Sequence, residues 1–397
     1  MSKSLSEILF EEGEERGKYY NAVSPPLIQT SNFVFSTVEQ MRLALSNEYD
    51  YSVYSRGNNP TLAILRHKIA ELEGAEDALV FSSGCGAIAA ALFSHLRTGD
   101  HLVCIRKPYT WVSHFCKVIL PKYGITTTFV EEGSAQAYEA ACQSNTKLFY
   151  LESPNTFTFE ITDIRAVAEV ARSKGIITII DNSYSTPLYQ SPLSLGVDLV
   201  LHSASKYLSG HSDVVAGVLA GNKEMIRKIY DSEYLAFGAV LPPFEAWLML
   251  RGLRTLEIRL QRSTANAKAL IKAIDNHPRI KRIFYPFHAQ HPKNDIARSQ
   301  MKDCSGLFSI ELNVDTPDEV ILFCNNLKHF LKAVSWGGFE SLVDPAITVY
   351  DFEHPEANEL SWRIVRFYCG LESSEILIDD VLQALNIFDN GAKNQQK

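Results

Sequence analysis

Long apolar runs are missing from this chain of 397 residues, and without one of about 20 residues no helix spans a bilayer. Cysteine is sparse and unpaired. The seven (Cys85, Cys104, Cys116, Cys142, Cys304, Cys324 and Cys369) are odd in number and never spaced C-x-x-C, which argues against a disulfide framework and fits a reduced, cytoplasmic setting. The eleven histidines form no H-x-x-x-H or H-E-x-x-H pair and join no cysteine cluster of zinc spacing, so no catalytic metal is expected. Basic residues are not in excess either. Lys and Arg number 38 against 46 Asp and Glu, a net charge of -8, and no basic stripe offers itself to nucleic acid. The opening MSKSLSEILFEEGEERGKYY has no apolar core and soon turns acidic, unlike a signal or transit peptide. Low-complexity tracts and internal repeats are absent, and the polar tail NGAKNQQK reads as solvation only.

What is present is the profile of a folded chain of two or three domains: 46% hydrophobic, 21% charged and 11% aromatic. Residues 1–60, with AVSPPLIQTSNFVF and YSVYSRGNNPT, carry little helical periodicity and read as an extended arm. From Thr61 the string LAILRHKIAELEG places Leu62, Leu65, Ile69 and Leu72 on one helical face, with Gly74 as its C-cap. Strand and helix signals then alternate through ALVFSS, AIAAALFSHL, HLVCI, FCKVILPKYG, TTTFV, KLFYLE, IRAVAEVARSKG, ITIID, DLVLHS and VAGVLAG. Alternation at that spacing predicts an α/β domain over 61–245, a doubly wound and mainly parallel sheet with helices on both faces. Near Pro243 one long helical run, FEAWLMLRGLRTLEIRLQRSTANAKALIKAID, leads into a smaller α+β domain over 246–397. Its strands are GLFSIEL and RIVRFYCGL, and its helices PDEVILFCNNLKHF and EILIDDVLQALNIF.

Open parallel sheets bind ligands beyond the carboxyl ends of their strands. In IIDNSYSTPLYQSPLSLGVDLVLHSASKYLSGHSDVV one strand ends on Asp181 and another just before Ser203, Ser205 and Lys206, so the carboxylate and the amine face one crevice. Pyridoxal phosphate needs that pair: an amine for its aldehyde and an anion against its ring nitrogen. A helix cap and a solvated lysine are the plainer alternative, because charges at strand ends are common. ALVFSSGCGAIAA runs from a strand through glycines into a helix whose first N–H groups make an anion site. The same string matches the dinucleotide fingerprint G-x-G-x-x-A, with Arg106 available for a 2′-phosphate, so an NADP oxidoreductase stays open. Tyr109, just past HLVCI, is placed to stack on a flat ring. Arg366 alternates with apolar residues in RIVRFYCGL, which suits a buried guanidinium holding a carboxylate.

Together these strings resemble the Cys/Met metabolism class of pyridoxal-phosphate enzymes, which includes cystathionine β-lyase, cystathionine γ-synthase, cystathionine γ-lyase and methionine γ-lyase. The similarity runs from about Val23 to about Leu385, and HSASKYLSGHSDVV is its most specific motif. The resemblance implies the type I pyridoxal-phosphate transferase fold. It makes Lys206 the Schiff-base lysine, Asp181 the partner of the ring nitrogen and Tyr109 the stacking residue. SSGCG becomes the phosphate loop, through the backbone of Gly84 and Cys85, with Ser203 and Ser205 adding hydroxyls; the dinucleotide reading of that loop is displaced. Arg366 becomes the arginine for the substrate carboxylate, and Ser335 and Trp336 of VSWGGFESL face the substrate. The arm motif Y-x-R-x-x-N-P-T, here Tyr54, Arg56, Asn59, Pro60 and Thr61, implies that Tyr54 and Arg56 reach a neighbouring subunit's site. A homo-oligomer follows, a tetramer built from two catalytic dimers, acting on a small sulfur-containing amino acid.

The chain departs from the family's common S-P-x-N-P, reading Ser153, Pro154, Asn155, Thr156 and Phe157, and its arm has Gly57 and Asn58 where a glycine usually comes second. The string after Tyr109 (TWVSHFCKVILPKYGITT), RGLRTLEIRL, GLFSIEL and above all Trp336 look most like bacterial cystathionine β-lyases. Methionine γ-lyases carry a cysteine two residues after the stacking tyrosine, where this chain has Trp111, and Cys116 lies too far along to replace it. The expected reaction is therefore β-elimination of L-cystathionine, with γ-elimination or γ-replacement as the alternative. A cofactor-binding protein without catalysis is a further alternative, which the intact set of Lys206, Asp181, Tyr109 and Arg366 argues against.

Overall fold

A computed structural model describes residues 3–386. The tail NGAKNQQK lies outside them.

Seven strands form the larger sheet: β1 (Asp77–Phe81), β2 (His101–Ile105), β3 (Thr126–Val130), β4 (Thr146–Glu152), β5 (Ile177–Asp181), β6 (Leu199–Ser203) and β7 (Gly217–Gly221). Their spatial order is β1-β7-β6-β5-β4-β2-β3. Only β7 runs antiparallel to its neighbours, β1 and β6. The sheet is buried on both faces, which explains its near-continuous apolar strands. Leu148, Tyr150 and Ile179 join the large core on one side, while Phe149, Leu151 and Ile180 join a second cluster under the helix Ile164–Lys174. The strand sequence winds outward from β2 to β3 and then back through β4, β5 and β6, so the winding reverses between β2 and β4. Such a reversal opens a crevice at the strands' carboxyl ends.

A second, five-stranded sheet follows in the order β10-β11-β12-β9-β8, with β8 (Ile280–Phe284), β9 (Leu307–Leu312), β10 (Leu331–Lys332), β11 (Leu342–Pro345) and β12 (Ile364–Tyr368). All neighbours in it are antiparallel except β10 and β11.

Every strand read from the sequence is formed. The helix expected from Thr61 spans Pro60–Glu73, with Asn59 accepting from the Thr61 N–H and Gly74 closing it at φ +67. Two expectations are corrected. The arm is not wholly extended, because Ser4 and Glu7 form a capping box for the helix Leu5–Phe10, and Thr37 caps the helix Val38–Leu45. Both are short helices whose start signals outweigh weak periodicity. The long run after Pro243 is two helices, Pro243–Leu253 and Leu256–Ile274. Between them Thr255 leaves helical geometry at φ -110 and ψ 5, and the Arg259 guanidinium bonds the Gly252 carbonyl and the Thr255 hydroxyl exposed there.

Candidate active site

Four adjacent strands deliver chemistry to one edge. Ser203 ends β6, Asp181 ends β5 and Glu152 ends β4, with Glu152 and Asp181 directly opposite each other in the pairing. Tyr109 follows β2. Each side chain sits where the chain leaves the sheet, so its position is fixed by a rigid element.

Asp181 is 8% exposed. Its Oδ1 accepts from the N–H of Ser183 at 2.9 Å and from its hydroxyl at 2.5 Å, and among the described residues its Oδ2 has no hydrogen bond. Burial pushes this carboxyl above the usual aspartate range, while the Ser183 bonds, His202 and Lys206 pull it back. Glu152, 7% exposed, is raised by burial and then by Asp181. It accepts from the Tyr109 N–H at 2.6 Å and from the Thr156 N–H at 2.9 Å.

Lys206 lies in the turn after β6, its N–H donating to the Ser203 carbonyl at 3.1 Å. Its Nζ donates to the Ser335 hydroxyl and stands 5.6 Å from the Trp336 ring. Burial, then the Arg366 charge, lowers this amine to about 8, against the pull of Asp181. The Ser335 loop reaches it because Gly337 turns at φ +91, where a Cβ would lie 2.7 Å from the Tyr207 nitrogen.

The helix Gly84–His95 opens beside this group, capped by Ser83, whose hydroxyl accepts from the Gly86 N–H. A Cβ on Gly84 would lie 3.3 Å from Ser203, and one on Gly217 only 2.2 Å from the Ser83 carbonyl oxygen, so glycine lets strand and loop approach. Burial, and then the neighbouring Cys85 thiol, raise the Tyr109 hydroxyl to about 12. The Ser205 hydroxyl is held by the Ala216 N–H at 2.9 Å.

Arg366 enters from β12 of the second sheet, 7% exposed. Its Nη2 donates to Asp344 at 2.6 Å and its Nη1 to the Thr156 hydroxyl at 3.2 Å, and the Phe157 ring lies 4.4 Å from the guanidinium. Tyr54 and Arg56 stand apart. Both are exposed, 5.7 Å from each other, and among the described residues no hydrogen bond or ion pair joins either to the cluster. Arg106, the residue considered for a 2′-phosphate, is paired with Glu131. The strand before its glycines, β1, is an antiparallel edge and not the first strand of a parallel βαβ unit.

A sequence profile described as Cys/Met metabolism PLP-dependent enzyme matches residues 7–386. The chain belongs to this family. An L-methionine gamma-lyase of Fusobacterium nucleatum subsp. polymorphum is 36% identical over 375 residues, covering 92% of this chain and 94% of that protein. An L-alanine/L-glutamate racemase of Wolbachia pipientis wMel is 33% identical over 389 residues, covering 95% and 96%. Among solved structures, cystathionine gamma synthase from Xanthomonas oryzae pv. oryzae superposes with a TM-score of 0.90 at 32% identity, covering 97% of this chain and 98% of that one. Pyridoxal phosphate is thus the cofactor, the fold is type I, and an amino acid is the substrate class.

The residues present fit that cofactor. A half-buried amine of lowered pKa is available for its aldehyde, a buried carboxylate with a spare oxygen for its ring nitrogen, and a capped helix start with a glycine for its phosphate. Three further residues in the site were not picked from sequence: Glu152, Thr156 as a partner of Arg366, and Asp344. The rule that found Asp181 also applies to Glu152, the last residue of KLFYLE. Asp344 has no comparable signal. Among the described residues no helix is long and apolar enough to cross a membrane, and no group of three or more His, Cys, Asp or Glu side chains is placed to hold a metal ion.

Proposed function

We propose that this enzyme is a carbon–sulfur lyase that eliminates homocysteine from the β-carbon of L-cystathionine, leaving pyruvate and ammonia. When bound, pyridoxal phosphate supplies an electron sink that makes bonds at Cα and Cβ of an amino acid labile. In this reading Lys206 holds the cofactor, Asp181 keeps its ring nitrogen charged, Tyr109 covers its face, and the backbone of Gly84 and Cys85 with Ser203 and Ser205 receives its phosphate. Arg366 holds the substrate carboxylate, which points Cα at the amine. Lys206 then takes the Cα proton at Nζ, a step suited to an amine lowered to about 8. Ser335 steers Nζ during that transfer, since its hydroxyl already accepts from it. Tyr54 and Arg56 complete the site of a second subunit, so that the working unit is a homo-oligomer, a tetramer of two catalytic dimers, in the cytoplasm.

The observation that carries the β-lyase reading is Trp336. Its indole stands beside the Lys206 amine and tilts against Tyr207 at 5.4 Å, and in this reading it walls off one end of the substrate pocket next to Ser335. A second reading, γ-elimination or γ-replacement, is favoured by the methionine gamma-lyase and cystathionine gamma synthase at 36% and 32% identity. The two separate cleanly. Incubated with L-cystathionine, the holoenzyme should yield homocysteine and pyruvate by mass spectrometry; cysteine and 2-oxobutyrate would replace the first reading with the second. Inversion of alanine or glutamate without cleavage would align the chain with the racemase instead.

A further inference from the structure

The crevice where the sheet's winding reverses is bridged by one carboxylate. Glu152 ends β4, and its two oxygens are taken by N–H groups of two different loops, that of Tyr109 after β2 and that of Thr156 after β4. The second loop carries a further chain of contacts. The Thr156 hydroxyl accepts from Arg366, and Phe157, held at φ +62, lays its ring against the same guanidinium. One buried side chain therefore joins the residue on the cofactor's face to the residue at the substrate's carboxylate.

We propose that Glu152 is a positioning residue that couples Tyr109 to Arg366, so that the stacking ring and the carboxylate clamp are set by a single anchor. This rests on the roles given above to Tyr109 and Arg366. A carboxylate is required because it alone offers an acceptor to both loops at once; an amide offers one oxygen and turns a donor against the other N–H. A purely structural need for a buried polar group would not demand two acceptors. Phe157 and Thr156 stand where many relatives carry proline and asparagine, so in this chain the link to Arg366 runs through a hydroxyl and a ring face.

The test uses the holoenzyme and glycine, an amino acid with a carboxylate and no leaving group, whose dissociation constant is read from the change in cofactor absorbance. Arg366→Ala is the control for the underlying reading and should weaken glycine strongly. Glu152→Gln should weaken glycine by about tenfold and lower the affinity of the apoprotein for pyridoxal phosphate. Thr156→Val should weaken glycine by about fivefold with cofactor affinity unchanged. The double variant should bind glycine no worse than Glu152→Gln alone, because both changes cut one chain of contacts. If Arg366→Ala weakens glycine but Glu152→Gln leaves both affinities unchanged, the coupling is wrong and the site reading stands. If Arg366→Ala has no effect, the site reading itself is wrong. Multiplying effects in the double variant would also overturn the coupling. Should Glu152→Gln fail to fold, Thr156→Val decides alone: an unaltered glycine affinity refutes the link.

Discussion

Only the neutral amine of Lys206 attacks an aldehyde, so its protonation should govern how fast the apoprotein captures pyridoxal phosphate. At pH 7 an amine at its ordinary 10.5 is neutral in about 0.03% of molecules, whereas one lowered to about 8 is neutral in about 9%, a gain of about 300-fold. The capture rate, followed by absorbance and divided by that of N-acetyl-lysine at the same pH to remove the cofactor's own titration, should show this advantage at pH 7. It should shrink above pH 8, as Lys206 becomes fully neutral while the free amine is still titrating. The causes of the shift fix the signs in variants. Arg366 disfavours the ammonium, so Arg366→Ala should move the midpoint up. Asp181 favours it, so Asp181→Asn should move the midpoint down. A rate that climbs in parallel with the free amine to pH 10 would refute the lowered amine. An Asp181→Asn midpoint above that of the wild type would refute the assignment of causes.

Three other outcomes are expected. Arg366→Ala should raise KM for the amino acid by an amount worth roughly 2–5 kcal/mol, with a smaller effect on kcat, because it strips the carboxylate's partner and leaves Asp344 buried without its cation; steady-state kinetics with L-cystathionine decides. Glu14→Ala should lower stability by about 3–5 kcal/mol in thermal melts, because Glu14 is the carboxylate shared by the fully buried Lys68, by Arg16 and by Arg254, and Glu14→Ala with Lys68→Met should recover much of the loss. If Tyr54 and Arg56 serve a neighbour's site, an inactive Lys206→Ala chain co-folded in equal amounts with an inactive Arg56→Ala chain should regain about a quarter of wild-type activity through mixed dimers; no recovery would place both groups in one subunit's site.

Much of this architecture is legible in the sequence because each level repeats the same message. Apolar runs of five to seven residues ending on Asp181 and Ser203 announce parallel strands, and the ligand rule for such sheets turns strand ends into site residues. Glu152 obeys the same rule as the last residue of β4, but no lysine or glycine motif beside it marks it as a site residue. Asp344 was invisible for a different reason: its relation to Arg366 is made by cross-strand pairing of β11 with β12, and register between distant strands leaves no local mark. The arm's helices were missed because a helix of six or eight residues shows barely two turns of periodicity, and its capping residues carry the signal instead. The break at Thr255 was hidden likewise, since an Arg259 side chain returning to the freed carbonyl makes a mid-run stop tolerable.

The electrostatics of the crevice explain why it can hold so many charges. Asp181, Glu152 and Asp344 are carboxylates in or near the interior, and Lys206 and Arg366 are the cations set among them. Burial pushes each acid toward its neutral form, and fixed donors pull each one back: the Ser183 N–H and hydroxyl for Asp181, two loop N–H groups for Glu152, and the Arg366 guanidinium for Asp344. Glu152 has both oxygens taken, whereas Asp181 and Asp344 each keep one without a hydrogen bond among the described residues, and that of Asp181 is the one assigned by the ring-nitrogen reading. A cationic ring nitrogen placed there would favour the charged form of Asp181 and offset part of the cost of its burial. Cofactor binding should therefore stabilise the protein by more than its contact area suggests, and Asp181→Asn should lose much of that extra stabilisation while leaving the apoprotein no less stable than the wild type. Differential scanning calorimetry of the apo and loaded forms of both proteins separates the two contributions, and an equal gain on loading in wild type and variant would exclude Asp181 as the partner of the ring.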